Sequence, residues 1–136
     1  MVKVSGTYQG GLHCELVHGP SQAKIETDAP KDNNGKGELF SPTDLVGAAL
    51  GSCILTVMSI VAEREKVSLQ GATIEVEKEM ITAPERRIGS LISKVKMPKG
   101  VPSGIRKKLE ATALHCPVHK SLHPDINAPI EFTYPD

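Results

Sequence analysis

This sequence contains few aromatic residues and has no net charge. Aromatic side chains make up 3% of the 136 residues, and there is no Trp. The 16 Lys and Arg residues balance 16 Asp and Glu residues, so the formal net charge is zero. Because nucleic acids are usually held by basic surfaces and by stacking on aromatic rings, we expect no nucleic-acid partner. The same neutrality disfavours attraction to an anionic membrane surface.

Cysteine is also scarce, with three residues, Cys14, Cys53 and Cys116. The N-terminal stretch MVKVSGTYQGG has no apolar run of the kind found in a secretory signal, so we expect a cytoplasmic protein. In that reducing compartment the cysteines are expected to be thiols, and their odd number argues against a disulfide framework. A chain of 136 residues can bury a core without disulfides, and we predict one domain over residues 1–136.

The first half of the chain reads as strands followed by one long helix. Alternating apolar positions and turn residues predict a meander of about three short strands within the first forty residues. Residues 41–44, Ser-Pro-Thr-Asp, are typical of a helix start with Ser as the N-cap. No charged residue occurs from Leu45 to Ala62, which predicts a central helix buried nearly all round. Gly47 and Gly51 predict a close approach of another backbone, and the many small residues argue against a membrane span.

The second half predicts a β-hairpin, a second helix and a final strand. Residues 72–81 and 88–97 alternate as two antiparallel strands. A helix is predicted after Pro102, with an apolar stripe that reaches Cys116 before Pro117 interrupts or restarts it. The segment from Ile130 alternates as a closing strand. Strands grouped around two helices, instead of alternating with them, indicate an α+β domain.

Two of the cysteines are candidates for thiol chemistry. Cys53 and Cys116 each fall on the apolar stripe of a different predicted helix, so both can point into one interior. A thiolate that attacks a peroxide becomes a sulfenic acid, which a second nearby thiol can convert to a disulfide. The alternative is that both are buried structural thiols, because free Cys is among the most buried residue types. Cys14, on a predicted strand, is interpreted as a packing residue.

A zinc site is a further possibility in the second half. Cys116, His119 and His123 are residue types that ligate zinc, and they follow one another closely in the sequence. Against this, no additional Cys-x-x-Cys or Cys-x-x-His pair completes four ligands locally, and Pro117 disturbs a continuous helical face. We therefore predict no metal and keep a zinc-binding module as an alternative.

The segments that contain Cys53 and Cys116 resemble the OsmC/Ohr family of osmotically inducible and organic hydroperoxide resistance proteins. The matching motifs are Ser41-Pro-Thr-Asp-Leu-Val-Gly-Ala-Ala-Leu-Gly-Ser-Cys53 and His115-Cys-Pro-Val-His-Lys-Ser-Leu122. The resemblance implies an OsmC-like fold in an intertwined homodimer, with active sites at the subunit interface. It further implies that Cys53 is the peroxidatic cysteine and Cys116 the resolving one. The expected substrates are an organic hydroperoxide and a dithiol reductant, with no cofactor.

Two departures from that family concern the activation of Cys53. In the hydroperoxide branch an Arg from the N-terminal strands, held by a Glu at the start of the central helix, activates the first cysteine. Here Thr43 occupies the Glu position, and no Arg precedes Arg64. Glu38, Thr43 and Asp44 are the candidate supporting residues, although Asp44 can equally cap the helix. The leading hypothesis is a thiol peroxidase, and the alternative is a redox-silent OsmC-like stress or ligand-binding dimer.

Overall fold

The computed structural model describes residues 1–136 and contains two three-stranded sheets with three α-helices. This mixture confirms the predicted α+β class. A short 3-10 turn, Lys31–Asn33, follows the third strand. In chain order the elements are β1 (Val4–Tyr8), β2 (His13–His18), β3 (Lys24–Asp28), α1 (Pro42–Arg64), β4 (Thr73–Ile81), β5 (Arg87–Lys96), α2 (Ser103–Ala113), α3 (Pro117–Ser121) and β6 (Ile130–Thr133).

Residues Met1–Val46 form a first compact unit, which contains the predicted meander. Strands β1, β2 and β3 are neighbours in one antiparallel sheet. The β1–β2 turn is possible because Gly10 and Gly11 both adopt positive φ, which costs a glycine little. The strands follow one another through short turns, so this sheet could be predicted from local sequence.

Residues Gly47–Asp136 form a second compact unit around the sheet β4-β5-β6. β4 and β5 are the predicted hairpin, and β6 pairs with β5 in parallel. Leu91 and Val95 are buried while the alternate residues Lys94 and Lys96 are exposed. Burial of a side chain such as Leu91 contributes about 1.5–3 kcal/mol, so this alternation fixes which face of β5 joins the core.

Helix α1 packs its buried stripe on this second sheet. The fully buried side chains of the stripe include Leu50, Ile54 and Met58. A Cβ added at Gly51 would lie 3.3 Å from Val76 Cγ2, so the missing side chain lets β4 pack closely. The close approach predicted at this glycine therefore exists, but it is made by sheet side chains and not by another backbone.

The opposite face of α1 differs from the prediction of a helix buried nearly all round. Ser52, Thr56 and Ile60 are exposed, and Cys53 is half-buried. The sequence from Leu45 to Ala62 did not predict this asymmetry, because small and hydroxylated residues occur on both buried and exposed helix faces. In this chain by itself, α1 thus has one buried and one open side.

Helix α1 also meets the length and hydropathy requirements for crossing a membrane. Its best 18-residue window has a mean hydropathy of 2.2, and 33% of that window is buried. The fully buried stripe on β4 and β5 gives α1 the packing of a core helix in a soluble protein. Its apolar character therefore does not by itself indicate a membrane protein.

Candidate functional site

Cys53 lies on α1, between its buried stripe and its open face. The neighbouring residue Ile54 is fully buried, and Ser52 on the other side is exposed. Cys53 itself is half-buried and is a free thiol. This position gives the sulfur both a packed environment and a route to solvent, which a reacting thiol requires.

Cys116 occupies a helix N-cap, not the apolar stripe of α2 as predicted. Helix α2 ends at Ala113, and Cys116 N–H donates to the Ala113 carbonyl in the turn that follows. Pro117 is the first residue of α3, so a new helix begins at this proline, which is one of the two outcomes expected there. Proline suits that position because the first helical N–H has no partner within the helix.

A backbone N–H group of α3 points at the sulfur of Cys116. His119 N–H donates to Sγ over 3.2 Å. The imidazole of His119 is held in turn, because its Nε2 lies 3.0 Å from the Ala128 carbonyl oxygen. The carbonyl can only accept, so Nε2 carries the proton that is donated. The turn that holds Cys116 is therefore tied to the segment that precedes β6.

The side chains of Cys53 and Cys116 lie close enough for Cys53 to act on the pKa of the Cys116 thiol. Cys116 is fully buried, with 0% of its surface exposed. Burial, together with the neighbouring Cys53, raises the pKa of the Cys116 thiol, while the N–H groups of His119 and Val118 oppose that rise. Cys116 consequently holds its proton more firmly than an ordinary cysteine. The two predicted reactive thiols are thus adjacent, although they are far apart in the sequence.

The candidate supporting residues Thr43 and Asp44 lie at the start of α1. Ser41 N–H donates to Asp44 Oδ2 over 2.9 Å, and Asp44 N–H donates to Ser41 Oγ over 3.0 Å. These reciprocal bonds form a capping box and confirm the helix-start prediction. Thr43 Oγ1 lies 3.2 Å from Ser41 Oγ within the same turn. Thr43 and Asp44 are therefore engaged at the helix end, about three turns along α1 from Cys53.

Glu38, the third candidate supporting residue, is exposed in the loop that precedes α1. It follows Gly37, which has positive φ, and precedes the exposed Phe40. Exposure of this kind suits a solvated carboxylate better than a buried partner for a catalytic group. Its supporting role stays a prediction.

A charged cluster in the first unit was not anticipated from the sequence. His13 Nδ1 lies 2.7 Å from Asp28 Oδ1, and His13 Nε2 lies 3.1 Å from Glu26 Oε1. Both carboxylates accept, so both ring nitrogens donate and His13 is an imidazolium. The bonds to Asp28 and Glu26 raise the pKa of His13 accordingly. Only the strand register, in which His13 faces Asp28, reveals this cluster.

The zinc alternative has no geometric support. No group of three His, Cys, Asp or Glu side chains is placed to hold a metal ion. His119 is bonded to the Ala128 carbonyl, and the Nδ1 of exposed His123 accepts the backbone N–H of Asp125. The three proposed ligands Cys116, His119 and His123 therefore do not converge.

Cys14 lies on β2 in the first unit and is half-buried. It faces Tyr8 on β1 and Thr27 on β3 across the sheet. With Tyr8 and Leu12 it lines a mostly apolar cavity. These surroundings agree with the interpretation of Cys14 as a packing residue, and no charged side chain lines the cavity to activate it.

Comparison with known proteins shows extensive similarity. The family model of OsmC-like proteins matches residues 35–131. A Psychrobacter arcticus protein with a suggested role in osmotic stress and detoxification is 41% identical, with 98% of this chain and 96% of that chain covered at a TM-score of 0.92.

More distant structures share the fold at low identity. An organic hydroperoxide resistance protein OsmC from Legionella pneumophila is 18% identical, with 98% and 96% covered at a TM-score of 0.78. The organic hydroperoxide resistance protein OhrB of Bacillus subtilis is 17% identical, with 98% of each chain covered at a TM-score of 0.69. No significant match was found among curated proteins.

Proposed function

The chain belongs to the OsmC-like family, and on that premise we propose that it is a thiol-dependent peroxidase that reduces organic hydroperoxides. The observation that carries this proposal is that the side chains of Cys53 and Cys116, which are far apart in the sequence, lie close together. Peroxide reduction by two thiols requires that they can form a disulfide, and adjacent side chains meet that requirement. The names of two structural relatives, which are hydroperoxide resistance proteins, support the peroxide as substrate class.

The proposed roles follow from the different exposure of the two thiols. Half-buried Cys53 is reachable by a peroxide and attacks its distal oxygen as the thiolate. The O–O bond breaks, the alcohol leaves, and Cys53 becomes a sulfenic acid. Buried Cys116 then attacks the Cys53 sulfur and expels the oxygen as water, which leaves a disulfide. A dithiol reductant restores both thiols by exchange, so the cycle uses sulfur chemistry alone.

A homodimer is part of the proposal. Each unit has large apolar side chains about half exposed, Tyr8 and Phe40 in the first and Ile60 and Leu114 in the second. Apolar surface of this kind favours association, and the open face of α1 carries Ile60. A second copy of the chain would cover part of this apolar surface. Mass photometry or light scattering of purified protein should give twice the 14.6 kDa chain mass, and a monomer would contradict the assembly.

Counting thiols tests the peroxidase proposal. Reduced protein is treated with a limiting amount of cumene hydroperoxide as the only oxidant, and the remaining thiols are measured. The wild type should lose two thiols per peroxide, Cys116→Ser one, and Cys53→Ser none. Loss of thiols in Cys53→Ser as fast as in the wild type would refute the proposed role of Cys53.

One observation favours a second candidate, a redox-silent dimer with reduced structural thiols. The groups that shift the pKa of Cys116 include no cation, and burial outweighs the backbone N–H groups. A Cys116 thiol without a nearby positive charge has less reason to ionise. An unchanged thiol count in every variant after peroxide treatment would favour this candidate.

A further inference from the structure

The hydrogen bonds around Cys116 restrict how it can contact Cys53. A thiol has one S–H donor, and its sulfur acts as the acceptor. The sulfur of Cys116 already accepts the backbone N–H of His119. Its S–H is therefore free to donate to Cys53 as long as Cys116 is protonated.

The location of the proton follows from burial. Cys116 is fully buried, whereas Cys53 is half-buried next to the open face of α1. Removing a thiolate from water costs free energy, and the cost rises with burial. When one proton is shared by the two sulfurs, the negative charge is thus better placed on Cys53. Cys116 then acts as the donor and Cys53 as the acceptor.

We propose that the Cys116 thiol is the proton donor of the pair, which stabilises the Cys53 thiolate by a hydrogen bond and then protonates the alkoxide that leaves from the hydroperoxide. This inference rests on the proposed peroxidase function. It gives Cys116 a task before disulfide formation. It also supplies an activating group for Cys53 in a chain that has no Arg before Arg64.

The step balances in protons and electrons. The Cys53 thiolate attacks the distal oxygen of the hydroperoxide, an S–O bond forms, and the O–O electron pair leaves with the alkoxide. Cys116 gives its S–H proton to that alkoxide, which departs as the alcohol. Cys53 has been oxidised to the sulfenic acid, the peroxide has been reduced, and Cys116 is left as a thiolate.

The surroundings of Cys116 suit that product. The new thiolate is held by the backbone N–H of His119, which is a strong partner for a negative sulfur. It is also the nucleophile that the next step requires, because the thiolate and not the thiol attacks the sulfenic sulfur. Hydroxide then leaves and takes a proton from solvent. One proton transfer thus completes the first step and prepares the second.

The test compares two oxidants whose leaving groups differ in their need for a proton. Cumene hydroperoxide expels an alkoxide, whereas peracetic acid expels acetate, a stable anion. All proteins carry Cys14→Ser, and Cys116 is left unchanged or replaced by Ala or Ser. The rate of Cys53 oxidation by each of the two oxidants is measured by stopped flow for these three proteins. Weaker thiolate stabilisation slows both oxidants alike, so the ratio of the two rate constants isolates proton donation.

In Cys116→Ala, the rate with cumene hydroperoxide should fall about a hundredfold relative to the rate with peracetic acid, the typical worth of a general acid. Cys116→Ser should give an intermediate ratio, since a hydroxyl is a weaker acid than a thiol. Equal ratios in all three proteins would overturn the inference. A fast peracetic acid reaction in the variants confirms that Cys53 is still in place.

Failure of the peroxidase proposal gives a different result. The protein that keeps Cys116 is the reference. If its Cys53 reacts with cumene hydroperoxide no faster than a free small-molecule thiol, both the proposed function and the inference fail. If that protein reacts fast and the ratio is insensitive to Cys116, the function stands and only the proton-donor role is overturned.

Discussion

His119 is bonded to Cys116 through its backbone and to Ala128 through its ring. Its N–H donates to Cys116 Sγ over 3.2 Å, and its Nε2 lies 3.0 Å from the Ala128 carbonyl oxygen. The hydrogen bond of the His119 ring to Ala128 holds His119 in place, and the backbone N–H of His119 in turn holds the sulfur of Cys116. His119 is therefore a positioning residue for Cys116.

Replacing His119 by Ala should slow the attack of Cys116 on the Cys53 sulfenic acid about fivefold, the equivalent of one lost hydrogen bond of about 1 kcal/mol. The initial attack of Cys53 on peroxide should change less, because Cys53 lies on α1. Rapid-quench trapping of the sulfenic acid with dimedone separates the two steps. His115→Ala, at an exposed position just before Cys116, is the matched control. An equal slowing in both variants would contradict the positioning role.

The capping box at the start of α1 should contribute stability and not reactivity. Ser41→Ala and Asp44→Asn each weaken one of its two hydrogen bonds and should each lower the free energy of unfolding by about 1 kcal/mol. Denaturant titration measures this loss. The rate of Cys53 alkylation by iodoacetamide should stay within about twofold of the wild type, because Cys53 is about three turns away. A large fall in that rate with unchanged stability would instead assign Asp44 to the reactive site.

Gly47 and Gly51 should respond differently to alanine. A Cβ at Gly47 would meet Leu91 and Val76 at 3.7 Å, an ordinary contact, whereas at Gly51 it would meet Val76 at 3.3 Å and Ile74 at 3.4 Å. Alanine gains about 1 kcal/mol over glycine inside a helix. Gly47→Ala should therefore raise stability by up to that amount, and Gly51→Ala should raise it less or lower it. Thermal unfolding of the two variants gives the order, and the reverse order would contradict the packing of α1 on β4.

The sequence predicted those features of the fold that depend on neighbouring residues. Ser41, Pro42 and Asp44 specify the start of α1 by local hydrogen-bonding chemistry, and the structure confirms it. The end of α2 was placed wrongly because residues 114–116 are compatible with a helix. A new helix, α3, begins at Pro117, so Cys116 is the N-cap of α3 and not part of the apolar stripe of α2.

Other features depend on partners that are distant in the sequence. His13 is bonded to Glu26 and Asp28 only through the register of β2 and β3. The parallel pairing of β6 with β5 and the bond of His119 to Ala128 are likewise set by tertiary packing. The apolar stripes of two predicted helices suggested that Cys53 and Cys116 could point into one interior, and the family resemblance implied that they form one site.

His13 should make stability depend on pH. Its pKa is raised above 6.5 by Asp28 and Glu26, so its imidazolium stabilises the folded state fully below that value. The contribution is lost as the pH rises through the raised pKa. The stability difference between wild type and His13→Gln should be larger at about pH 6 than at about pH 9. His18→Gln, on the exposed end of the same strand, serves as the control, and a difference that grows with pH would contradict the sign.

The central claim is that peroxide oxidises Cys53, that Cys116 then forms a disulfide with it, and that cysteines in general do not react in this way. Peptide mass spectrometry after treatment with less than one equivalent of cumene hydroperoxide tests it directly, because half-buried Cys14 provides a control within the same chain. We predict a Cys53–Cys116 disulfide with Cys14 still reduced. Oxidation spread over all three cysteines, or concentrated at Cys14, would contradict the account.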